Sequence, residues 1–218
     1  MEINPPLFRS EIKSWHGHQK FAIHLMGALK PRVMVELGVH NGDSFFSFCQ
    51  GTEVFKLSTK LYGIDTWKGD PIAGFYGEEV FSKFMKEVLT NWQSHNETDP
   101  LVVIYRNSFD ESLKNFELSE IDLLHIDGRH DYQSVSHDFN LWLPKVSNTG
   151  IILLHDIHAD KFGHSSIHNE VPRFWKEIKK NFVTDEFTHS WGLGIIYMNP
   201  KSHIKQFVSQ WKELQITD

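Results

Sequence analysis

Five short apolar or β-branched runs, at residues 33–37, 61–65, 101–105, 121–127 and 150–156, are separated by stretches of helical periodicity. This alternation restricts the fold more than any other feature. Parallel strands need crossovers of a dozen or more residues, usually helices, so the pattern predicts a largely parallel sheet with helices on both faces. Between the runs, Phe81, Phe84, Met85, Val88 and Trp92 recur on one helical face. Tyr132, Val135, Phe139 and Trp142 do the same, as do Val171, Phe174, Trp175 and Ile178, with Pro172 suited to a helix's first turn. The chain then departs from alternation. Runs at 182–187 and 193–198 flank a short loop and predict an antiparallel hairpin. Residues 10–30 predict a helix with Phe21, Leu25, Ala28 and Leu29 inward. The reading is one α/β domain over 1–218, with 1–31 as a helical cover on the sheet edge or a ligand pocket.

With 218 residues and 40% hydrophobic content the chain can bury a sizeable core. A net charge of −6, without a dense basic cluster, argues against a nucleic-acid partner, and Lys176 to Lys180 reads as the solvated face of a helix. No stretch is long and apolar enough to span a membrane, and no leader-like segment stands at the N-terminus, which predicts a cytoplasmic protein. The single cysteine, Cys49, excludes an intrachain disulfide and sits among phenylalanines as a core residue. Fourteen histidines leave several available for chemistry.

The first run continues as Val35-Glu36-Leu37-Gly38-Val39-His40-Asn41-Gly42-Asp43-Ser44, a strand, a glycine turn and a helix start that Asp43 or Ser44 can cap. Gly38 and Gly42 let backbone approach a ligand. The spacing is not the G-x-G-x-x-G of dinucleotide sites, and Glu36 would repel a diphosphate while suiting an ammonium or sulfonium group. On this motif the chain resembles the class I S-adenosylmethionine-dependent methyltransferases. The resemblance implies a Rossmann-like seven-stranded sheet of order 3-2-1-4-5-7-6 with the last strand antiparallel. It also implies that the cofactor is held by Glu36, Gly38, Val39, Asn41, Gly42 and Ser44, by Asp65 on the ribose hydroxyls, and by Asp127. Trp67 would flank the adenosyl group, with Asn107 and Ser108 near the adenine, although many relatives carry an aspartate where Asn107 stands. The irregular stretch 69–77 suits a loop that covers substrate.

Two further blocks, Ile121 to Tyr132 and Gly150 to Asp156, extend the resemblance. With the glycine turn and Asp65-Thr66-Trp67-Lys68-Gly69-Asp70 they are similar to one branch, the small O-methyltransferases of sugar, polysaccharide and macrolide-sugar pathways, which includes cephalosporin-hydroxylase-like proteins. The match runs from about Val33 to Tyr197, four motifs in order. Asp127 and Asp156 would end adjacent strands about 5 Å apart and converge. Mg²⁺ or another divalent cation would remove their repulsion, with His155, where relatives show an acid, as the third metal residue. The acceptor proton needs a base: His130 is the first candidate and His155 its competitor, with Asp127 beside them as the third catalytic residue, and His189 is placed to touch the acceptor. His155, His158, His164 and His168 match no regular zinc spacing and read as a lid.

The expected function is an O-methyltransferase acting on a hydroxyl of a sugar or glycoside, with a small-molecule or saccharide partner; homo-oligomerisation stays open. A non-haem iron hydroxylase built on His130, His155 and Asp156 is the alternative, weakened because neighbouring residues of a strand point to opposite faces. A non-catalytic nucleoside-binding partner domain is the third reading.

Overall fold

The structure is a computed structural model in which residues 5–70, 74–92, 101–162 and 169–216 are described. Seven strands form the main sheet: β1 (Val33–Leu37), β2 (Lys60–Ile64), β3 (Val102–Tyr105), β4 (Ile121–Ile126), β5 (Val146–His155), β6 (Val183–Phe187) and β7 (Leu193–Tyr197). Their order is β3-β2-β1-β4-β5-β7-β6. Every pairing is parallel except those of β7, which runs antiparallel to both β5 and β6. This is the order expected from the resemblance, with the closing hairpin in place. Strand limits shift by one residue at several ends; β5 is longer than expected because Val146 pairs with Ile121 across a bulge.

Helices α1 (Gln19–Leu29), α2 (Asp43–Val54), α3 (Glu78–Glu87), α4 (Phe109–Ser112), α5 (Tyr132–Trp142), α6 (Val171–Asn181) and α7 (Ile204–Ile216) cover the sheet. Strand alternation divides the core in two. Met34, Leu123, Ile151 and Leu153 face Phe21, Leu25, Phe45, Phe48 and Trp211 on the side of α1, α2 and α7. Val35, Leu124, Ile126, Ile152 and Leu154 face Val135, Phe139, Phe174 and Trp175 on the side of α5 and α6. Each such side chain, fully buried, contributes about 1.5–3 kcal/mol, so the apolar faces legible in the sequence carry the layers.

The N-terminal helix is shorter than expected. It begins at Gln19 after a turn of 3-10 helix at His16–His18 and stops at Lys30 in a left-handed conformation, φ 50°. Residues before it are held by side chains rather than by helical bonds. Leu7 N donates to Gln50 Oε1, Gln50 Nε2 to Pro5 O, Gln19 Nε2 to Phe8 O, and Ser10 N to Asp43 Oδ1. These tertiary bonds outcompete helix propagation. Helix α1 packs on α2 and α7 over a sheet face rather than an edge. In the 69–77 stretch, Gly69–Asp70 pairs with Gly74–Phe75; residues 71–73 between them lie outside the described residues, as do His164 and His168 of the histidine-rich segment. Among the described residues no helix is long and apolar enough to cross a membrane.

Candidate active site

The carboxyl ends of β1, β4 and β5 gather a cluster of acids and histidines. Glu36 pairs in register with His125, and His125 with Leu153, so Asp127 and His155 continue the same row one step further along the same sheet face. Asp156 should point to the other face, but its left-handed backbone, φ 63°, returns its carboxylate to the cluster. His155 Nδ1 therefore lies 3.4 Å from both Asp127 Oδ1 and Asp156 Oδ1. The expectation that His155 and Asp156 diverge fails on this backbone reversal, which costs about 1–2 kcal/mol for a non-glycine residue.

His130 completes the group. Its Nε2 is 2.5 Å from Asp156 Oδ2 and 4.0 Å from Asp127 Oδ1. One ligand atom each from Asp127, His130 and Asp156 lies within 4.8 Å of the others. His155 was expected as the third metal residue; its Nε2 instead bonds the Ser190 carbonyl at 3.0 Å and its side chain is 2% exposed, against 17% for His130. Burial alone would push the His155 imidazole down, but Asp127 and then Asp156 raise it to about 9. Burial pushes Asp127 up, and His155, His125 and His130 more than reverse this, holding it well below the usual carboxylate range. His130 is likewise raised, its desolvation outweighed by Asp156 and Asp127.

The glycine loop is built differently from its expected logic. Gly38 and Gly42 have φ near +90°, which glycine adopts without strain. The space beside them is taken by the protein itself: a Cβ on Gly38 would collide with the Asp127 carbonyl, and one on Gly42 with the Phe46 ring. Asp65 ties this loop to the next. Its Oδ2 accepts from Val39 N at 3.0 Å and His40 N at 2.9 Å, and its Oδ1 from Trp67 N at 2.7 Å. The Tyr76 hydroxyl faces the same carboxylate, and burial followed by the charge of Asp65 pushes its pKa up. A carboxylate has about four acceptor positions, so three are used and Tyr76 faces Asp65 where the ribose was expected.

Other expected contacts are also engaged. Glu36 is wholly buried, accepts a short hydrogen bond from Ser44 Oγ, and lies 3.2 Å from His125 Nδ1; burial raises its pKa. Among the described residues its Oε2 has no hydrogen-bond partner. Trp67 is turned inward against Phe81 and Phe84, its Nε1 donating to His40 O. Ser108 caps α4 through a reciprocal pair with Glu111, while Asn107 is exposed. Asn41 is half-buried in the turn.

Several residues at the site carry no expectation from sequence. His125 and His18 are fully buried, and Trp15 packs on both rings, 5.0 and 5.5 Å between centroids. His18 lies 4.5 Å from His189 and is pushed well down by burial and then by His155. His16 Nε2 is 3.2 Å from Asp43 Oδ1, and His40 stacks with Tyr76 at 4.5 Å. An ionisable residue inside an apolar strand, as His125 stands between Leu124 and Ile126, was the available signal.

A seven-stranded sheet of this order, with a glycine turn after β1 and acids at the ends of β2, β4 and β5, defines the class I methyltransferase fold. Residues 35–157, more than half of the chain, match the family described as Methyltransferase domain, and the chain belongs to that family. The fold is similar to the Podospora anserina methyltransferase PaMTH1 bound to S-adenosylhomocysteine, at TM-score 0.64 and 15% identity, covering 84% of this chain and 78% of that one. It is also similar to the O-methyltransferase TomG of Streptomyces achromogenes, involved in tomaymycin synthesis and solved with S-adenosylmethionine, at TM-score 0.61 and 12% identity over 88% and 82%. A third is the Bacillus cereus O-methyltransferase with S-adenosylhomocysteine, at TM-score 0.59 and 15% identity over 89% and 84%. At these identities the likeness is one of fold. The uncharacterized protein y4gI of Sinorhizobium fredii (strain NBRC 101917 / NGR234) is 36% identical over 196 residues, 89% of this chain; the chain spans a fifth (20%) of that relative's length.

Proposed function

We propose that the chain is an S-adenosylmethionine-dependent O-methyltransferase acting on a hydroxyl of a sugar or glycoside, assisted by a divalent cation. The observation that carries this reading is the convergence of Asp127, His130 and Asp156 at the ends of β4 and β5, beside the glycine loop that follows β1. The donor set fits a hard or borderline cation, two carboxylate oxygens and one imidazole nitrogen within reach of one another. Such a cation lowers the pKa of a bound hydroxyl and fixes its oxygen. Glu36 Oε2, without a hydrogen-bond partner among the described residues, is an acceptor open to the cofactor, and Asp65 can exchange Tyr76 for a ribose hydroxyl. Around the cluster, the imidazoles of His40 and His189 and the ring of Tyr76 suit an uncharged, hydroxyl-rich acceptor.

The residues then divide their tasks. Asp127 and Asp156 supply negative charge at the strand ends, and His155, pinned by the Ser190 carbonyl, holds both carboxylates in place. His130 is the imidazole that reaches the acceptor side. In a second reading His130 is no ligand but the general base: its Nε2 donates to Asp156 at 2.5 Å, which leaves Nδ1 to take the acceptor proton. Because Asp156 more than offsets the desolvation of His130 and raises its pKa, base catalysis of that kind would climb over a higher pH range than with an ordinary histidine.

One experiment separates these. Turnover of S-adenosylmethionine with a glycoside acceptor panel is measured after chelator treatment and after Mg²⁺ or Mn²⁺ is returned. Loss and recovery support the cation reading; full activity in excess chelator removes it and leaves the His130–Asp156 base. S-adenosylhomocysteine that fails to bind would remove the methyltransferase reading itself.

A further inference from the structure

Between α4 and α5, beneath the Gly128 loop, lies a second group of metal-type donors. His137 Nε2 is 3.0 Å from Asp110 Oδ1 and 3.2 Å from Asp110 Oδ2, and one donor atom each from Asp110, His137 and Asp138 falls within 4.8 Å of the others. Asp110 and His137 are exposed, as an ordinary surface ion pair would be, and such a pair has little value and needs no metal. Asp138 is what an ion pair does not explain. It occupies the apolar stripe of α5 with Val135, Phe139 and Trp142, is 6% exposed, and makes no hydrogen bond or salt bridge among the described residues. Its Oδ2 sits 3.3 Å from where a Cβ of Gly128 would stand, under the loop that follows β4. No lysine or arginine pairs with any of the three among the described residues, so a buried carboxylate is turned toward a histidine and a second carboxylate without a cation to meet it.

We propose that Asp110, His137 and Asp138 form a binding site for a borderline divalent cation of the Zn²⁺ class, separate from the strand-end cluster. Zn²⁺ takes imidazole nitrogen and carboxylate oxygen at about 2.0–2.2 Å in a tetrahedron, which sets neighbouring donors about 3.3–3.5 Å apart. The His137–Asp110 separation is already near that value, and a small turn of the Asp138 side chain supplies the third vertex, leaving the fourth to water. A histidine donor favours Zn²⁺ over Mg²⁺, which prefers an all-oxygen octahedron. The ion would tie α4 to α5 and give Asp138 the partner it lacks. It would also brace Phe109, whose ring packs at Gly128 beside the same carboxylate.

The test is calorimetric titration of ZnCl₂ into the full chain, stripped with chelator and carrying Asp127→Asn and Asp156→Asn to silence the strand-end cluster. One equivalent of Zn²⁺ should bind with a dissociation constant of about 1 μM or tighter, and the melting temperature should rise with it. Adding His137→Ala or Asp138→Asn should weaken binding by about tenfold or more and remove the thermal shift. Should the doubly substituted background not fold, the comparison is the parent chain against His137→Ala, with the parent binding one equivalent more. No uptake, or uptake that His137→Ala leaves unchanged, overturns the proposal.

Discussion

At the scale of single residues, the site is a set of side chains already committed to one another, and substitutions report on those commitments. Asp65 accepts from three backbone N–H groups, so Asp65→Ala should both loosen the glycine loop and weaken S-adenosylhomocysteine by about 1–3 kcal/mol. Calorimetry checks the affinity and a melting curve the loosening; unchanged affinity would release Asp65 from the ribose. Tyr76→Phe works in the opposite sense. It clears one acceptor position on Asp65, and affinity for S-adenosylhomocysteine should rise by about fivefold, the value of one ordinary hydrogen bond. His130→Ala should keep cofactor affinity and lower turnover by about 10²–10⁴-fold. Near-normal turnover in that variant, with His155→Ala inactive yet folded and cofactor-bound, would move the role to His155.

At the scale of elements, the order of strands and the two apolar layers were legible because alternation and helical periodicity act locally and repeat. Asp65, Asp127 and Asp156 were legible for a related reason: a polar residue closing an apolar run marks the crevice end of a parallel strand. Their partners were not. The acceptors of Val39 N and His40 N depend on the path of a turn, and the return of Asp156 to the side of His155 depends on one left-handed residue, neither of which a period of two encodes. Residues 10–18, expected as helix, take bends and a 3-10 turn because they are tied to Asp43, some thirty positions away, by bonds that a local period does not encode. Gly38 shows the same contrast: a space left for a ligand on sequence grounds is a close approach between two loops. Gly38→Ala should therefore destabilise the chain by about 2–4 kcal/mol, combining backbone strain with overpacking against the Asp127 carbonyl. Denaturant unfolding measures it, and a loss below about 1 kcal/mol would show that the two loops can part without consequence.

At the scale of the whole molecule, a buried carboxyl at the centre of the sheet makes stability depend on pH. Burial raises the folded pKa of Glu36, so between the unfolded and the folded value the folded chain binds more proton than the unfolded chain does. For an acid raised in this way stability falls as pH increases from the unfolded value of about 4.5 through the folded one. Glu36→Gln keeps an acceptor for Ser44 Oγ and abolishes the titration. Its melting temperature should fall less than the parent's as pH rises above about 4.5. A variant that melts lower, with the parent's slope between pH 4.5 and 7 intact, would place the charge balance at Glu36 in its pairing with His125. The bracing of three loops by Asp65 and by the Gly38–Asp127 contact has an evolutionary consequence. The strand-end loops of such a domain can change little without coming apart, whereas residues 5–14, fastened mostly by a few side-chain bonds ahead of the buried Trp15, can be rewritten more readily. New acceptors would then arise by exchanging that strap while the inherited scaffold beneath it stays the same.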